Sequence, residues 1–517
     1  MRKALCLLVS LILCFLLVAC NGADTGVSDN KTANTAEIGN EQISLLYSAS
    51  DCFNPYTAKT KSNRELSKLL YDPLIKCDNQ FNPQFFLASG AVLEGKTCTV
   101  TLKSAYFTDG TAVTAEDIIY SYNLAKRSET AYGASLYEVQ SISGSGNTVI
   151  FNLSVIDPYF LNLLDFPIIK TSSDGNKNSD GVEIAPVGCG RYTVSEDGSS
   201  LLRNGNYYGN MGDIATINLI DAPDENSVSH YVEVGAADIY YADQSSPDVA
   251  RMSGKRADVN TNNFVYIGIN GAYAPLKSNL LRYALSAAID REEICHSAYF
   301  DNAVPANGFF NPAINETSAI QSLKSKADLQ ITVENLEKIG YNRLDNGYYV
   351  NSSGKRLSLT LLVNSDNQSR LTAANLIKKE CKEAGIEINI IPRSYGDYVS
   401  MLSSGNFQLY LGEVKVLRNM DLKGLTVSGG SAAYGVSPAV IDESTGAEVK
   451  SPCEEIISRY HSGECSLSDV AGVLITEMPQ IPVCYRKGML FYTARIKNSA
   501  EPSASDIFYG FENYKLK

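Results

Sequence analysis

"FTDGTAVTAEDIIYSY", residues 107–122, brings three carboxylates close together, and their role decides whether the chain is interpreted as an enzyme. Asp109 precedes a glycine, which is a turn signal, because Asp bonds its own backbone and Gly tolerates a positive φ. Thr114 is a good N-cap, and Asp117 stands where its carboxylate can bond the N–H of that cap. Glu116 and Asp117 also lie at the positive end of the helix dipole. Turn and cap chemistry therefore explains the cluster, and a catalytic cluster is the alternative.

The N-terminal segment "MRKALCLLVSLILCFLLVACNG" (1–22) is typical of an exported protein. Two basic residues precede an apolar run that is shorter than the roughly 20 residues needed to span a bilayer, which favours a signal peptide over residues 1–19. Leu17–Cys20 resembles a bacterial lipobox, so we expect cleavage before Cys20 and a diacylglyceryl group on its thiol. Residues 20–41 are small and polar without periodicity, which predicts a flexible tether. We therefore expect an extracytoplasmic protein that meets the membrane through its lipid anchor only.

Composition excludes one class of partner and leaves most others open. The net charge is −13 and the pI is near 4.9. A nucleic-acid partner is not expected, because a phosphate-binding surface needs a basic patch. Hydrophobic content of 44% is ordinary for a globular chain that is long enough for two or more lobes.

The cysteines and histidines predict neither a metal site nor a bound cofactor. Of 12 cysteines, Cys6 and Cys14 would leave with the signal peptide and Cys20 would be lipidated, and the remaining nine lie apart without CxxC pairs. A disulfide between Cys453 and Cys465 stays open. The 3 histidines form no HExxH pattern, and neither a GxSxG elbow nor a phosphate-binding GxxxxGK loop occurs.

Strand-like and helix-like segments alternate along the chain, which indicates an α/β fold. The clearest case runs from 356 to 392, where "RLSLTLLVN" and "IEINIIP" flank the amphipathic segment "SRLTAANLIKKECKEAG". This order predicts a βαβ unit and hence parallel strands. "FVYIGING" (264–271) is a buried-strand pattern that ends in a turn.

The order of several motifs resembles family 5 of the bacterial extracellular solute-binding proteins, the oligopeptide-, dipeptide- and nickel-binding receptors of ABC importers. The matching segments are "FTDGTAVTAEDIIYSYNLAKR" (107–127), "PVGCGRYTV" (186–194), "INGAYAPLKSNLLRYALSAAIDREEI" (269–294), "KKECKEAGIEINI" (378–390) and "MPQIPVCY" (478–485). Ordered matches from about 43 to 515 are more specific than any one of them.

The resemblance implies a two-lobed, periplasmic-binding-protein-like clamshell. Lobe I would comprise residues 42–262 plus 483–517, with an inserted subdomain at about 73–182, and lobe II would comprise 263–482. The protein would be a monomer that captures a peptide between the lobes and delivers it to ABC permease subunits. Nickel, haem or another small molecule is an alternative solute. A surface sensor without a transporter, or an exported hydrolase, is an alternative function.

Candidate ligand-binding residues follow from strand ends and from the resemblance. Beyond the carboxyl end of the strand at 356–364 lie Asn364, Asp366, Asn367 and Arg370, where α/β folds bind ligands. Arg370 would hold a carboxylate or begin a solvated helix. The other candidates are Asn270, Glu413, Asp421 and Tyr434.

One segment departs from the family. Many peptide receptors carry Gly-Trp-x-x-Asp in the region matching 407–421, and that Asp pairs with the amino terminus of the peptide. In this chain Glu413 follows Gly412, and Val416 stands where the Asp would be. Either Glu413 or Asp421 supplies the carboxylate from a shifted position, or the ligand has no free amine there.

The lipobox generates the first test. We expect Cys20→Ala to abolish both fatty-acid incorporation and cleavage at that site, because the thiol is the acceptor of the lipid. Metabolic labelling with an alkyne fatty acid and membrane fractionation measure this, with Cys14→Ala as the matched control. Normal labelling and membrane retention of Cys20→Ala would contradict the assignment.

Overall fold

The computed structural model describes residues 41–222, 230–231, 233–243, 254–437, 440–441, 448–498 and 500–517. Its strands are β1 (Gln42–Tyr47), β2 (Ile75–Cys77), β3 (Pro83–Phe85), β4 (Ala88–Glu94), β5 (Thr97–Leu102), β6 (Val139–Ser145), β7 (Thr148–Leu153), β8 (Tyr192–Val194), β9 (Ser200–Arg203), β10 (Thr216–Asp221), β11 (Ile239–Ala242), β12 (Lys255–Ile269), β13 (Ala303–Pro305), β14 (Arg343–Asp345), β15 (Tyr348–Val350), β16 (Ser358–Asn364), β17 (Glu387–Arg393), β18 (Leu409–Lys415), β19 (Val440–Ile441), β20 (Glu448–Val449) and β21 (Gln480–Tyr492).

Its α-helices are α1 (Lys61–Leu70), α2 (Ala115–Arg127), α3 (Ala131–Ser135), α4 (Asn279–Ala288), α5 (Arg291–Tyr299), α6 (Leu329–Lys338), α7 (Gln368–Glu383), α8 (Tyr395–Ser403), α9 (Lys423–Thr426), α10 (Pro452–His461) and α11 (Leu467–Glu477). The architecture is mixed α/β, as expected.

The acidic stretch at 107–122 folds as its turn and cap chemistry predicts. Asp117 accepts hydrogen bonds from the backbone N–H of Thr114 at 3.0 Å and from that of Thr171 at 2.9 Å. The carboxylate of Asp109 accepts from Thr111 N and forms an ion pair with Lys170 at 2.6 Å. These bonds attach the start of α2 to neighbouring loops, so the capping prediction is confirmed.

A seven-stranded sheet in the order β11-β21-β12-β18-β16-β17, with β13 also beside β21, organises the second part of the chain. β12 and β21 pair antiparallel along most of their length, and the register shifts between Val259 and Asn263. Beyond that shift, successive residues of β12 face opposite sides. Val265 packs in one core and Tyr266 in the other, as the two-residue period of a strand requires.

Residues from the first part of the chain and from its C-terminus share another core. Sheets β1-β10-β9-β8 and β4-β5-β7-β6 contribute to it. After β21 the chain returns to this core, where Ile496, Phe508 and Phe511 are buried. The C-terminal residues therefore pack with the N-terminal ones in one core.

The βαβ prediction is confirmed, because β16 and β17 pair in parallel around α7. The strand expected at 264–271 is longer than its pattern indicates and begins at Lys255. The predicted boundaries at 262/263 and 482/483 both fall inside strands, namely β12 and β21. The division into lobes at these positions stays a prediction.

The nine cysteines from Cys52 to Cys484 are all free thiols in the described structure, including Cys453 and Cys465. Among the residues that the structure describes, helices long and apolar enough to cross a bilayer do not occur. Cys20 and the tether lie outside the described residues.

The buried ion pairs of Lys76 generate the second test. Its ammonium lies 3.0 Å from Asp72 and 2.9 Å from Asp506, and all three side chains are at most 6% exposed. Lys76→Met leaves two uncompensated carboxylates, so we expect the free energy of unfolding to fall by about 3–5 kcal/mol in urea titrations.

Lys326→Met is the control, because the ammonium of Lys326 is 74% exposed and lies 3.6 Å from Glu292. Its expected change is below about 1 kcal/mol. Equal effects of the two substitutions would contradict the role of the Lys76 pairs.

Candidate functional site

One face of helix α1 carries charged side chains while the other is buried. Lys61, Glu65 and Lys68 follow at i, i+4 and i+7, a spacing that places them on the same face. Lys68 pairs with Glu65 at 2.6 Å, and Lys61 pairs with Asp243 at 3.0 Å. Asp243 directly follows β11, so this pair joins the helix to the edge of the large sheet.

The opposite wall is built from the end of β18 and the middle of β21. Glu413 lies 2.6 Å from Arg486 on β21 and 2.9 Å from Arg370 at the start of α7. The Glu413 side chain is 9% exposed. Burial acts to raise the pKa of Glu413, but Arg486 and Arg370 outweigh it and hold the pKa below its usual range. The carboxylate is therefore ionised and fully engaged.

Lys415 is the last residue of β18 and lies two positions after Glu413. Its cross-strand partner on β12 is Asn263, whose partner on β21 is Arg486, so the three residues form a row across the sheet. The Lys415 side chain is exposed, yet burial lowers its pKa, followed by repulsion from Arg418 and Lys68. The side chain of Lys415 is thus accessible to solvent while protein atoms and other charged groups surround it.

Tyrosine side chains connect the two walls. Lys61 lies 4.5 Å above the ring of Tyr241. Burial, followed by the charges of Asp243 and Glu65, raises the pKa of Tyr241, while Arg486 opposes the rise. Tyr241 is thus near both α1 and the end of β21.

We call this set of charged residues the charged cleft. Its members are Lys61, Glu65, Lys68, Asp165, Arg370, Asp243, Glu413, Lys415, Arg418 and Arg486.

The segment after β18 is bonded to residues of the expected inserted subdomain. Arg418 forms an ion pair with Asp165, and Asn419 donates to Asp157 at 2.8 Å. Tyr137 donates to Asp421 at 2.7 Å. These bonds place the β18 exit beside the first part of the chain.

The structure brings some of the sequence-derived candidates together. Glu413 and Arg370 bond each other directly. Asp421 accepts from Tyr137 and from Lys423 N, and His461 lies 3.7 Å away. Asp421 therefore takes part in the contact with Tyr137. Its described bonds do not include one to Glu413.

The remaining candidates have partners within the protein, which are mostly backbone groups. Asn270 donates to the carbonyl of Phe407 and accepts from Ala272 N. Asn364 accepts from Asp366 N, and Asp366 accepts from Tyr395 N. Asn367 caps α7 by accepting from Arg370 N. The ring of Tyr434 packs edge-on against that of Tyr410. Turn and cap chemistry accounts for these side chains, and ligand contacts by them stay predictions.

Sequence reasoning missed Lys61, Lys68, Lys415 and Arg486. The α1 residues carry a signal, since charges at i, i+4 and i+7 beside buried Leu66 and Leu69 indicate a polar face. Arg486 carries none, because its partner Glu413 is distant in sequence.

Cavities also lie away from the charged cleft. One of about 590 Å³ is lined by residues near the end of β1 and the loop before β8, including Asp51 and Glu183. Asp51 accepts from the backbone of Thr60, and Glu183 accepts from Asn54. All of its lining residues belong to the first 200 residues of the chain, so closure of two lobes would not enclose it.

Groups of three or more histidine, cysteine, aspartate or glutamate side chains that could hold a metal ion are not found within the described ranges.

Comparisons with known proteins found similarities in sequence and in fold. A family model described as "Bacterial extracellular solute-binding proteins, family 5 Middle" matches residues 87–415. The oligopeptide-binding protein AppA of Bacillus subtilis is 24% identical over 75% of this chain and 76% of its own length. The nickel-binding periplasmic protein of Escherichia coli is 23% identical over 66% and 68%. The structure of an ABC transporter substrate-binding protein from Sinorhizobium meliloti superposes with a TM-score of 0.71 at 19% identity, over 92% of this chain and 99% of that one. The expected fold class is confirmed.

The Glu413 pairs generate the third test. Glu413→Gln leaves two buried guanidinium groups without a counter-charge, so we expect a loss of about 3 kcal/mol in the free energy of unfolding at pH 7. A carboxylate with a lowered pKa stabilises the fold above its unfolded pKa of about 4.3 and ceases to do so as pH falls through the folded value. The difference between wild type and variant should therefore shrink in urea titrations below about pH 4.

Glu383→Gln serves as the control, because Glu383 is exposed at the end of α7. Its effect should be small at either pH. A Glu413→Gln effect that is independent of pH would exclude ionisation of this carboxylate as the cause.

Proposed function

Because the chain belongs to family 5 of the bacterial extracellular solute-binding proteins, we propose that it captures peptides in the charged cleft and delivers them to an ABC permease. The observation that carries this proposal is the cleft itself. Ionisable groups from α1 lie near those at the end of β18 and in the middle of β21, and Lys61, Asp243 and Lys415 remain accessible to solvent. Backbone amides and charged termini of a peptide are the groups that such a surface recognises.

Closure of the two lobes around a ligand would depend on the strands that connect them. β12 and β21 run from one part to the other, and their register is interrupted between Val259 and Asn263. A break in a ladder removes local hydrogen bonds, so the strands can bend there. Hinge closure around the ligand would bring α1 and the end of β18 together.

The AppA relative supports peptide as the solute, and the nickel-binding relative supports the alternative. Peptide is favoured because the charged cleft offers guanidinium and ammonium groups, which bind carboxylates and repel cations. A surface sensor would use the same cleft without a permease. An exported hydrolase is the least supported alternative, because the acidic stretch at 107–122 has structural bonding.

We further propose that the protein works as a monomer outside the cytoplasm and is held at the membrane by a lipid on Cys20. The support is the Leu17–Cys20 pattern and the polar residues that follow it. No bound cofactor is part of this proposal.

Capture without turnover is the fourth test. We expect the protein to retain members of a synthetic mixture that ranges from dipeptides to nonapeptides, with their masses unchanged after release. Native mass spectrometry measures capture, and X-ray scattering should show a smaller radius of gyration in the loaded protein, because a hinge closes.

A parallel sample receives Ni²⁺ alone. Capture of nickel without capture of any peptide would contradict the peptide assignment, and recovery of cleaved peptides would favour the hydrolase. Tight capture with an unchanged radius would contradict hinge closure.

A further inference from the structure

The residue after Lys415 is apolar, and the nearby carboxylates are occupied by partners within the protein. Val416 is buried at 6% exposure. Both oxygens of Glu413 are bound, one by Arg486 and the other by Arg370. Asp421 is 6% exposed and holds Tyr137 and the backbone of Lys423. A ligand ammonium would have to displace one of these partners.

The charged cleft has an excess of positive charge. It contains six cationic side chains, which are Lys61, Lys68, Arg370, Lys415, Arg418 and Arg486, and four carboxylates, which are Glu65, Asp165, Asp243 and Glu413. Each carboxylate is paired with a cation of the same set. This local excess of two positive charges stands in a chain whose net charge is −13, so the general composition does not account for it.

Lys415 is the unpaired member of the set. Each of the five other cations of the charged cleft has an ion-pair partner within 4.0 Å among the described residues. The ammonium of Lys415 has neither a hydrogen bond nor an ion pair to any described residue, although Glu65 and Asp165 attract it from farther away. Its nearest like charges are on Arg418 and Lys68. An anion placed there would meet one unpaired cation, Lys415, with Arg418 and Lys68 nearby in ion pairs with Asp165 and Glu65.

The sheet register gives the location. Lys415 and Arg486 lie on either side of Asn263, two strand spacings apart, which is roughly 10 Å between their Cα atoms. Arg486 is engaged by the carboxylate of Glu413 and by the carbonyl of Asp243. The unpaired ammonium of Lys415 therefore lies at one end of the row formed by Lys415, Asn263 and Arg486.

We propose that the charged cleft selects ligands by a carboxylate, which binds the ammonium of Lys415, and that it does not require a free ligand amine. This inference rests on the proposed function and specifies its ligand class. Lys415 receives the negative group, and the charges of Arg418 and Lys68 strengthen the attraction. The paired carboxylates remain with their protein partners and hold the cations in place.

The fifth test compares one set of synthetic pentapeptides in three forms: free amine with free carboxylate, acetylated amine with free carboxylate, and free amine with carboxamide. We expect wild type to bind the first two forms similarly in calorimetry and the carboxamide at least about tenfold more weakly. Acidic side chains are left out of the peptides, so the terminal carboxylate is the sole negative group.

Lys415→Gln should remove the preference for the carboxylate, and Lys415→Glu should reverse it, so that the carboxamide form binds better than the acid. A merely structural role of Lys415 would weaken all forms alike. Lys379→Gln is the matched control, because Lys379 is exposed on α7, and it should keep the wild-type preference.

The outcomes separate the two proposals. Binding of all three forms with equal affinity, or an unchanged preference in Lys415→Glu, overturns the carboxylate inference and leaves peptide capture intact. A tenfold loss on acetylation would show that an amine is required and would also overturn it. Absence of binding by every form contradicts peptide capture and the inference together.

Discussion

The pairing of β12 with β21 is the constraint on which the rest of the structure depends. Both strands are long, and each contributes residues to more than one core, so their ladder holds together parts of the molecule that otherwise have separate interiors. The interruption beside Asn263 lies next to Arg486 and Lys415. The same short stretch therefore positions the side chains of Lys415 and Arg486 and interrupts the ladder beside them.

Local chemistry made much of the fold predictable. The cap at Thr114 and Asp117 and the parallel β16–α7–β17 unit depend on neighbouring residues, and both are confirmed. The early start of β12 at Lys255 was not predictable, because its first residues are polar and pair with a strand more than 200 positions away. Glu413 and Arg370 were identified singly, but their shared bond with Arg486 depends on tertiary structure.

The three-residue cluster of Arg370, Glu413 and Arg486 is a poor device for stability, since apolar residues of similar volume usually serve as well. The cluster instead fixes the orientation of its three side chains. A carboxylate held between two guanidinium groups cannot rotate freely, and it fixes the start of α7 against β18 and β21. Charged groups nearby are then held at defined positions, and in the proposed function this order would give selectivity.

The nine free thiols have a consequence for the conditions that the protein tolerates. Seven of them are buried, and burial raises the pKa of Cys77, Cys98 and Cys381 to about 12. A thiol in this state is a weak nucleophile. In the folded protein these buried thiols are therefore expected to react slowly with oxidants and thiol reagents. Cys52 and Cys465, which are only half-buried, are where such reagents would first react.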